Sequence, residues 1–355
     1  MLDDLRDALA DAAGAFADTR THYCSVEVAA ATDQGCAVKG TVLDVATRDA
    51  LAAALRARFP DATVDLSGVQ VLRDDTPTLR VVATNLTGLY AQPSFRAEQV
   101  SQLVVGAALE QLMIEDRWVF VRQPDGYLGW VYAAYLADAD PPVPTHLVCG
   151  PVSPLRAEPD ASAPLVSRVL GGAGVAVKRI ENGWAWIVWA GEHAGWLPLA
   201  DLRRLDALPQ DEAQRRRQIV EDAHAYVGVP YLWGGSSGMG IDCSGLAQLT
   251  HRLAGLVLPR DADMQFDAGR PVEFPFQPGD LLFFGDLGER RRITHVGISL
   301  GGWRIIHASR SRNGVYEDDV QAVDHLRERF VGSRTFVTEA GPWATSSSPS
   351  ARIPG

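Results

Sequence analysis

Apolar residues at the start of the chain recur every three or four positions. Leu2, Leu5, Leu9, Ala12 and Phe16 follow this spacing, which is the spacing along one face of a helix. The pattern therefore predicts a helix from residue 1 to about residue 20.

Alternating and helical patterns then follow one another. Residues 24–30 and 35–45 have the pattern of two strands, and residues 62–72 have that of another strand or of a pair of strands. Residues 47–58 instead form an amphipathic pattern, with Thr47 as the expected N-cap and Leu51 and Leu55 on one face. These elements predict a small α+β domain over residues 1–76, in which we find no catalytic constellation.

The next two segments of the chain share one pattern. Residues 77–140 and 146–206 each hold short alternating strands around a central glycine, and each closes on a Gly-Trp strand followed by a leucine. The period of about 65–70 residues indicates an internal repeat of two small β-barrels. The linker between them, 137–145, contains three prolines and marks a boundary.

The first copy contains a hairpin signal. Asp125-Gly126 is a dipeptide typical of two-residue hairpin turns, and Trp118 and Trp130 are expected in the core of this barrel.

The remainder of the chain divides into a helix-led segment and a polar tail. Residues 211–228 predict a helix whose arginine run, 215–217, is expected to be a solvated face. Residues 340–355 are rich in Ser, Pro and Gly, a composition typical of a disordered tail.

Composition and charge narrow the function. The 355 residues are 46% hydrophobic and 22% charged, as in globular proteins, so the chain has enough apolar material for several cores. The net charge of −11 disfavours nucleic acid and anionic membranes as partners, because both select basic faces. We expect a monomer.

Four cysteines, without any CxxC pair, argue against a structural zinc site or a disulfide-rich scaffold. Cys24 and Cys36 could pair across a hairpin, but two half-buried thiols are the favoured interpretation. Asp3 and Asp4 occupy the place where a signal peptide carries positive charge. We therefore expect a cytoplasmic location, although export to the cell wall by another route stays open.

A candidate nucleophile follows the Gly/Ser-rich loop 234–240. Cys243 stands at the predicted start of a helix that runs through Leu246, Leu249 and Leu253. Because unpaired N–H groups make a helix N-terminus electropositive, we expect the pKa of this thiol to fall.

Two histidines lie downstream in apolar alternating stretches. His295 and His307 are 12 residues apart, with Gly301-Gly302 between them as a turn. Adjacent antiparallel strands would bring the two side chains together. One histidine could then act as a base for Cys243 and the other could orient it, which is the arrangement used in acyl transfer.

Six short motifs in this part of the chain carry a resemblance to a known family. In order they are PYLWGG (230–235), DCSG (242–245), LPRDADMQ (258–265), PGDLLFF (278–284), HVGI (295–298) and IIHAS (305–309). Together they resemble the NlpC-type cell-wall cysteine peptidases, whose catalytic domain is papain-like. The two repeats resemble bacterial SH3-like domains, and the N-terminal domain resembles the BON-type fold.

The resemblance implies an α+β multidomain protein. Its papain-like NlpC-type catalytic domain would follow two small SH3-like β-barrels and a small N-terminal α+β (BON-like) unit. The expected boundaries are 1–76 for the BON-like domain, 77–140 and 146–206 for the barrels, 209–338 for the peptidase and 340–355 for the tail.

The resemblance also implies catalytic roles. Cys243 would be the nucleophile, His295 the general base and His307 the third polar residue. The Tyr231 hydroxyl would help to stabilise the oxyanion, unless Tyr231 is simply a core residue. No metal or organic cofactor is implied.

The whole domain order resembles a narrower branch, the γ-D-glutamyl-L-diamino-acid endopeptidases. These enzymes cut between D-Glu and meso-diaminopimelate or Lys in murein peptides that have a free N-terminal L-Ala. A free amine needs a carboxylate partner, and Asp242 is suitably placed, although it could equally be the N-cap of its helix.

Further substrate-binding residues follow from the same branch. Ser244 could add an acceptor, and Glu98 and Tyr127 match positions of the first SH3-like domain, although any of them could be an ordinary structural or surface residue. Ala262 departs from the serine that the branch often carries, which removes a hydroxyl partner for the amine, and Asp261 or Asp263 could compensate.

Two alternatives to the endopeptidase stay open. One is a non-catalytic module that binds murein peptides, and the other is an amidase or acyltransferase on the same fold. Cleavage of free-amine and acetylated peptides distinguishes a recycling endopeptidase from a wall hydrolase.

Overall fold

The computed structural model is a mixed α+β structure with many strands and few helices. It describes residues 2–32, 35–73, 76–140, 143–189, 193–286 and 292–337. The expected tail, 340–355, lies outside these residues. Internal contacts divide the chain into two compact units. One is formed by the chain up to Leu79 together with Glu110–Trp130, and the other by Arg80–Leu109 together with the chain from Val131 onward.

Six α-helices and several groups of strands follow one another along the described residues. The α-helices are α1 (Leu2–Gly14), α2 (Val45–Arg58), α3 (Glu212–Ala225), α4 (Cys243–Leu253), α5 (Ala262–Ala268) and α6 (Asp324–Arg327). The strands up to the proline-rich linker are β1 (Cys24–Thr32), β2 (Gly35–Val42), β3 (Thr63–Val71), β4 (Leu79–Val82), β5 (Leu86–Tyr90), β6 (Gln99–Val104), β7 (Ala108–Glu115), β8 (Trp118–Arg122), β9 (Leu128–Tyr132) and β10 (Leu136–Ala137).

The strands after the linker form two groups. The first is β11 (His146–Val148), β12 (Val152–Arg156), β13 (Leu165–Leu170), β14 (Gly174–Glu181), β15 (Trp184–Trp189), β16 (His193–Pro198) and β17 (Leu202–Arg204). The second is β18 (Ser236–Ser237), β19 (Gly240–Ile241), β20 (Arg270–Pro271), β21 (Leu281–Asp286), β22 (Arg292–Gly301), β23 (Arg304–Ser309), β24 (Gly314–Asp319) and β25 (Phe330–Thr335). Short 3-10 helices lie at Ala133–Tyr135, Leu199–Asp201 and Leu205–Ala207.

The N-terminal elements are two helices and a three-stranded sheet. The sheet has the order β1-β2-β3, and β2 and β3 are parallel because helix α2 crosses over between them. Leu51 and Leu55 of α2 are buried in its core, as the pattern predicts. Cys24 and Cys36 are free thiols, which confirms the favoured interpretation.

The start of α2 differs from the expected one. Asp44, not Thr47, is the N-cap, because its Oδ1 accepts hydrogen bonds from the Thr47 backbone N and the Thr47 hydroxyl at 2.9 Å each. A carboxylate three residues before a hydroxyl can satisfy both donors, which a cap at Thr47 could not do.

The two predicted repeats have the same element order. In chain order each has six strands, a 3-10 helix and a final strand, β4 to β10 and then β11 to β17. Trp130 lies in β9 and Trp196 in the equivalent strand β16, and both are buried. Gly126 adopts a positive φ of 91° in the turn between β8 and β9, as the hairpin signal requires.

The C-terminal segment builds a six-stranded sheet against helices α4 and α5. The strand order is β20-β25-β21-β22-β23-β24, and every pairing is antiparallel. The apolar face of α4 packs with Leu281 and Phe283 of β21 and with Val296 and Ile298 of β22 in one core. This packing places the first turn of α4 beside the middle of the sheet.

The arginine run of α3 is not the solvated face that we expected. Arg215 is buried, and Arg216 binds the buried Asp280 carboxylate at 2.9 Å and the Pro278 carbonyl at 2.9 Å. Only Arg217 is exposed. In the described part of the chain, no helix is long and apolar enough to cross a membrane.

Helix α2 offers a test of the N-terminal core. We expect Leu51→Ala to destabilise the domain by about 2–5 kcal/mol, because it removes a fully buried side chain and leaves a cavity. Val45→Ala, at an exposed position of the same helix, should change stability by less than about 0.5 kcal/mol. Urea unfolding measures both, and equal effects would contradict the burial of Leu51 in this core.

Candidate active site

The N-terminus of α4 presents Cys243. Asp242 is the N-cap, and its Oδ1 accepts a hydrogen bond from the Gly245 backbone N at 2.7 Å. Cys243 is the first helical residue and its side chain remains half-buried. The alternative interpretation of Asp242 as a helix cap is thereby confirmed.

A buried ion pair surrounds this cap. The Arg260 side chain, 1% exposed, donates to Asp242 through Nη1 at 3.1 Å and through Nη2 at 2.7 Å. Asp242 Oδ2 also accepts from the Gly234 backbone N at 2.9 Å, and Oδ1 accepts from the Ser244 hydroxyl at 3.2 Å. Five donors therefore hold the two carboxylate oxygens, and Arg260 neutralises their charge.

Strand β6 of the first barrel forms one wall of this network. The Ser101 hydroxyl accepts from Arg260 Nε at 3.1 Å. The Gln102 side-chain oxygen accepts from the Ser236 backbone N at 3.0 Å and from the Ser237 hydroxyl at 2.9 Å. Gly234 has a φ of +71°, and a side chain there would collide with the Gln99 carbonyl. The Gly/Ser-rich loop thus fits closely against β6 because it has glycine at this point.

His295 and His307 form a hydrogen-bonded pair. They lie on the adjacent strands β22 and β23, and His295 Nε2 is 2.7 Å from His307 Nδ1. His295 is half-buried, whereas His307 is 1% exposed. The second nitrogen of His295, Nδ1, is therefore the one left for a reacting group.

The Cys243 thiol lies against the strand that carries His295. Cys243 packs against the core that contains Val296, the residue that follows His295, and the Val296 backbone acts to lower the pKa of the thiol. A thiol, an imidazole with one free nitrogen and a second imidazole that orients the first are thus brought to one place. This arrangement can perform acyl transfer through a thioester.

The protonation of the pair differs from our expectation. Burial raises the pKa of Cys243 to about 12, and the Asp242 carboxylate adds to the rise. Burial also lowers the pKa of His295 to about 3, with a further contribution from His307. The expected fall of the thiol pKa is thus wrong, because desolvation outweighs the helix N-terminus. At neutral pH the pair is a thiol and a neutral imidazole.

Tyr231 lies close to Cys243. Burial raises its pKa to about 12, and the nearby Cys243 and Asp242 add to this. The tyrosine is half-buried beside the core, and the Arg310 guanidinium lies 5.5 Å from its ring centre. Its hydroxyl is therefore protonated at neutral pH and able to donate a hydrogen bond.

Glu98 stands on the same side of the site. Its Oε1 accepts a hydrogen bond from Trp233 Nε1 at 2.7 Å, and Gln99 Nε2 donates to the Trp233 carbonyl at 3.3 Å. Arg310 also lies 5.5 Å above the Trp233 ring. The structure thus places Glu98 next to the loop that leads to Cys243.

The other candidate residues have structural surroundings. Tyr127 lies in the turn after β8 and is 3% exposed. Asp261 is the N-cap residue of α5, next to the buried Ala262. The Ser244 hydroxyl donates a hydrogen bond to Asp242 and accepts one from Arg260. Substrate binding by Tyr127, Asp261 and Ser244 stays a prediction.

Two features of the site are not apparent from the sequence. Arg260 neutralises Asp242, and the Asp318 carboxylate lies 3.1 Å from His307 Nε2. No spacing or residue pattern in the sequence predicts either contact. Among the described residues, no group of three or more His, Cys, Asp or Glu side chains could hold a metal ion.

Comparisons with known protein families agree with this geometry. Residues 228–337 match the NlpC/P60 family, and residues 89–136 match the bacterial dipeptidyl-peptidase Sh3 domain. The chain therefore carries an NlpC/P60 peptidase domain preceded by an SH3 domain of that type. The assignment of the second barrel rests on the internal repeat.

Two curated relatives and one solved structure are informative. The γ-D-glutamyl-L-lysine dipeptidyl-peptidase of Bacillus subtilis is 35% identical over 32% of this chain and 39% of its own length. Dipeptidyl-peptidase 6 of Lysinibacillus sphaericus is 28% identical over 66% of this chain and 89% of its own length. An NlpC/P60 family protein from Bacillus cereus covers 73% of this chain and all of its own, with a TM-score of 0.65 and 19% identity, which shows the fold.

The pH dependence of Cys243 alkylation tests whether Cys243 and His295 are both uncharged at neutral pH. Because burial raises the thiol pKa to about 12, the rate of iodoacetamide labelling should rise about tenfold per pH unit from pH 7 to 10. His295→Gln should change this resting rate little. Peptide mass spectrometry separates Cys243 from the other three cysteines. A plateau that begins below pH 7, and that His295→Gln removes, would instead show a preformed thiolate–imidazolium pair.

The buried ion pair makes a second prediction. Arg260→Met should destabilise the protein by about 3–5 kcal/mol, because it leaves the Asp242 carboxylate buried without its cation. Asp242→Asn added to Arg260→Met should recover part of this loss, since an amide can still cap α4. Arg217→Met, at an exposed position, is the control. Denaturant unfolding measures all three, and a loss below about 1 kcal/mol for Arg260→Met would refute the assignment.

Proposed function

We propose that this protein is a cysteine endopeptidase that cleaves the γ-D-glutamyl–diamino-acid bond of murein peptides with a free N-terminal L-Ala. The observation that carries the proposal is the Cys243, His295 and His307 arrangement in an NlpC/P60 domain, with Glu98 of the SH3 domain beside it. The name of the Bacillus subtilis relative, γ-D-glutamyl-L-lysine dipeptidyl-peptidase, supports a γ-D-glutamyl substrate.

Covalent catalysis starts from the neutral pair. As the Cys243 sulfur attacks the γ-carbonyl carbon, its proton passes to His295 Nδ1. The oxyanion that forms lies near the start of α4 and the Tyr231 hydroxyl, where backbone N–H groups and this hydroxyl can supply hydrogen bonds. His295 then gives the proton to the leaving amine of the diamino acid. Water, deprotonated by the same nitrogen, attacks the thioester carbonyl. The C–S bond then breaks, the proton returns from His295 to the Cys243 sulfur, and L-Ala-D-Glu is released.

Glu98 is the better candidate than Asp242 for binding the free amine. The Asp242 oxygens already accept five hydrogen bonds, and Arg260 neutralises the charge. Glu98 is exposed, and among the described residues Trp233 is the hydrogen-bond partner of its carboxylate, through Oε1. A second carboxylate oxygen is therefore available to an ammonium group, while Asp242 holds the nucleophile in place.

Peptide digestion tests the activity. L-Ala-γ-D-Glu-meso-diaminopimelate and its L-Lys counterpart should release L-Ala-D-Glu, and Cys243→Ala should release none. The N-acetylated peptide should be cleaved at least about 100-fold more slowly, because it offers no cation to Glu98. Mass spectrometry follows the products. Equal cleavage of both forms would indicate a wall hydrolase with an open site, and cleavage of neither would favour a binding module.

Glu98 itself can be tested with the same peptides. Glu98→Gln keeps an acceptor for Trp233 but removes the charge, so kcat/KM for the free-amine peptide should fall about 10- to 100-fold. The rate for the acetylated peptide should stay unchanged. Glu158→Gln, an exposed acid of the second barrel, is the matched control. Equal losses with both peptides would show that Glu98 does not bind the amine.

A further inference from the structure

A carboxylate stands at the far end of the histidine pair. Asp318 Oδ2 is 3.1 Å from His307 Nε2, the nitrogen that does not face His295. Asp318 and Tyr316 point to the same face of strand β24, because side chains two apart along a strand do so, and Tyr316 is paired with His307 across the sheet. Three side chains are thus linked in a row, Asp318, His307 and His295.

The chemistry of the end member fixes the protons along this row. An ionised carboxylate only accepts hydrogen bonds, so His307 must donate its Nε2 proton to Asp318. A neutral His307 then has a lone pair on Nδ1, and His295 must donate its own Nε2 proton to it. His295 Nδ1 is left without a proton. This is the state in which His295 can accept the proton of Cys243.

Arg312 also binds the Asp318 carboxylate. Its guanidinium donates to Asp318 Oδ1 and lies 3.5 Å above the Tyr316 ring. Burial acts to raise the pKa of Asp318, but the bonds to His307 and Arg312 outweigh it and the pKa falls below its usual value. The Asp318 carboxylate is thus held by His307 on one oxygen and by Arg312 on the other.

We propose that Asp318, held by Arg312, is a positioning residue that directs the protons of both histidines and so makes His295 Nδ1 the base for Cys243. The inference rests on the proposed peptidase function for its kinetic consequence. Its structural consequence, the tautomer of each histidine, is independent of any substrate.

We expect Asp318→Asn to lower kcat more than Asp318→Ala does. In Asp318→Asn, Arg312 can only donate, so it must hold the amide oxygen, and the amide nitrogen then donates to His307 Nε2. Both histidines would be reversed and His295 Nδ1 would carry a proton. We expect kcat to fall about 10²–10⁴-fold with little change in KM. Asp318→Ala leaves the position of the His307 proton undirected, so kcat should fall only about tenfold.

Removing Arg312 should rescue the amide variant. In Arg312→Met with Asp318→Asn the amide can turn its oxygen toward His307, so kcat should recover at least about tenfold over Asp318→Asn alone. Arg312→Met alone should change kcat less than about tenfold, because the carboxylate still accepts. Asp319→Asn, at the exposed neighbouring residue, is the control for the loss of one charge. Thermal unfolding of each variant shows whether it is folded.

Histidine tautomers give the readout that does not depend on activity. In ¹⁵N-labelled protein at neutral pH, His295 and His307 should both carry their proton on Nε2, and both should carry it on Nδ1 in Asp318→Asn. Unchanged tautomers, or an Asp318→Asn variant more active than Asp318→Ala, would overturn the proposal. If the wild-type protein cleaves none of the peptides, the proposed function fails, while the tautomers still decide this inference.

Discussion

The buried ion pair between Asp242 and Arg260 is the constraint on which the site depends. Asp242 caps the helix that begins at Cys243, and the same carboxylate binds the backbone of Gly234 in the preceding loop. Arg260 continues the connection to Ser101 in strand β6. A charge this deeply buried is costly unless it is paired. Cys243, its preceding loop and strand β6 are therefore connected by one set of hydrogen bonds.

Burial also decides the protonation states of Cys243 and His295. A thiolate and an imidazolium would each lose their hydration in this site, and burial moves the pKa of Cys243 up and that of His295 down. The resting pair is then neutral, so the direction of the His295 proton becomes decisive. A base that is neutral must have its lone pair on the correct nitrogen, whereas a preformed ion pair would not need this. The proposed row from Asp318 to His295 would set that lone pair.

Much of this arrangement could be predicted from the sequence, because it depends on local patterns. The helix after Cys243, the strands that carry His295 and His307 and the repeat of the two barrels all follow from periodicity and turn residues. The partners of charged residues could not be predicted. Asp44 rather than Thr47 caps α2. Arg216 forms an ion pair with Asp280 and is not solvated as expected. The pKa of the Cys243 thiol rises, although a fall was expected. Each outcome depends on which groups meet in three dimensions and on how much water remains.

The contribution of β6 to the site has a consequence for specificity. Ser101 and Gln102 are buried and satisfy Arg260, Ser236 and Ser237, so this strand is part of the support of the nucleophile and not a separate binding module. Buried polar groups cost free energy when their partners are removed. Strand β6 starts one residue after Glu98. The Glu98 carboxylate accepts a hydrogen bond from Trp233 in the loop before Cys243. A contact that holds the catalytic loop in place thus also sets the position of the carboxylate that would select a free amine.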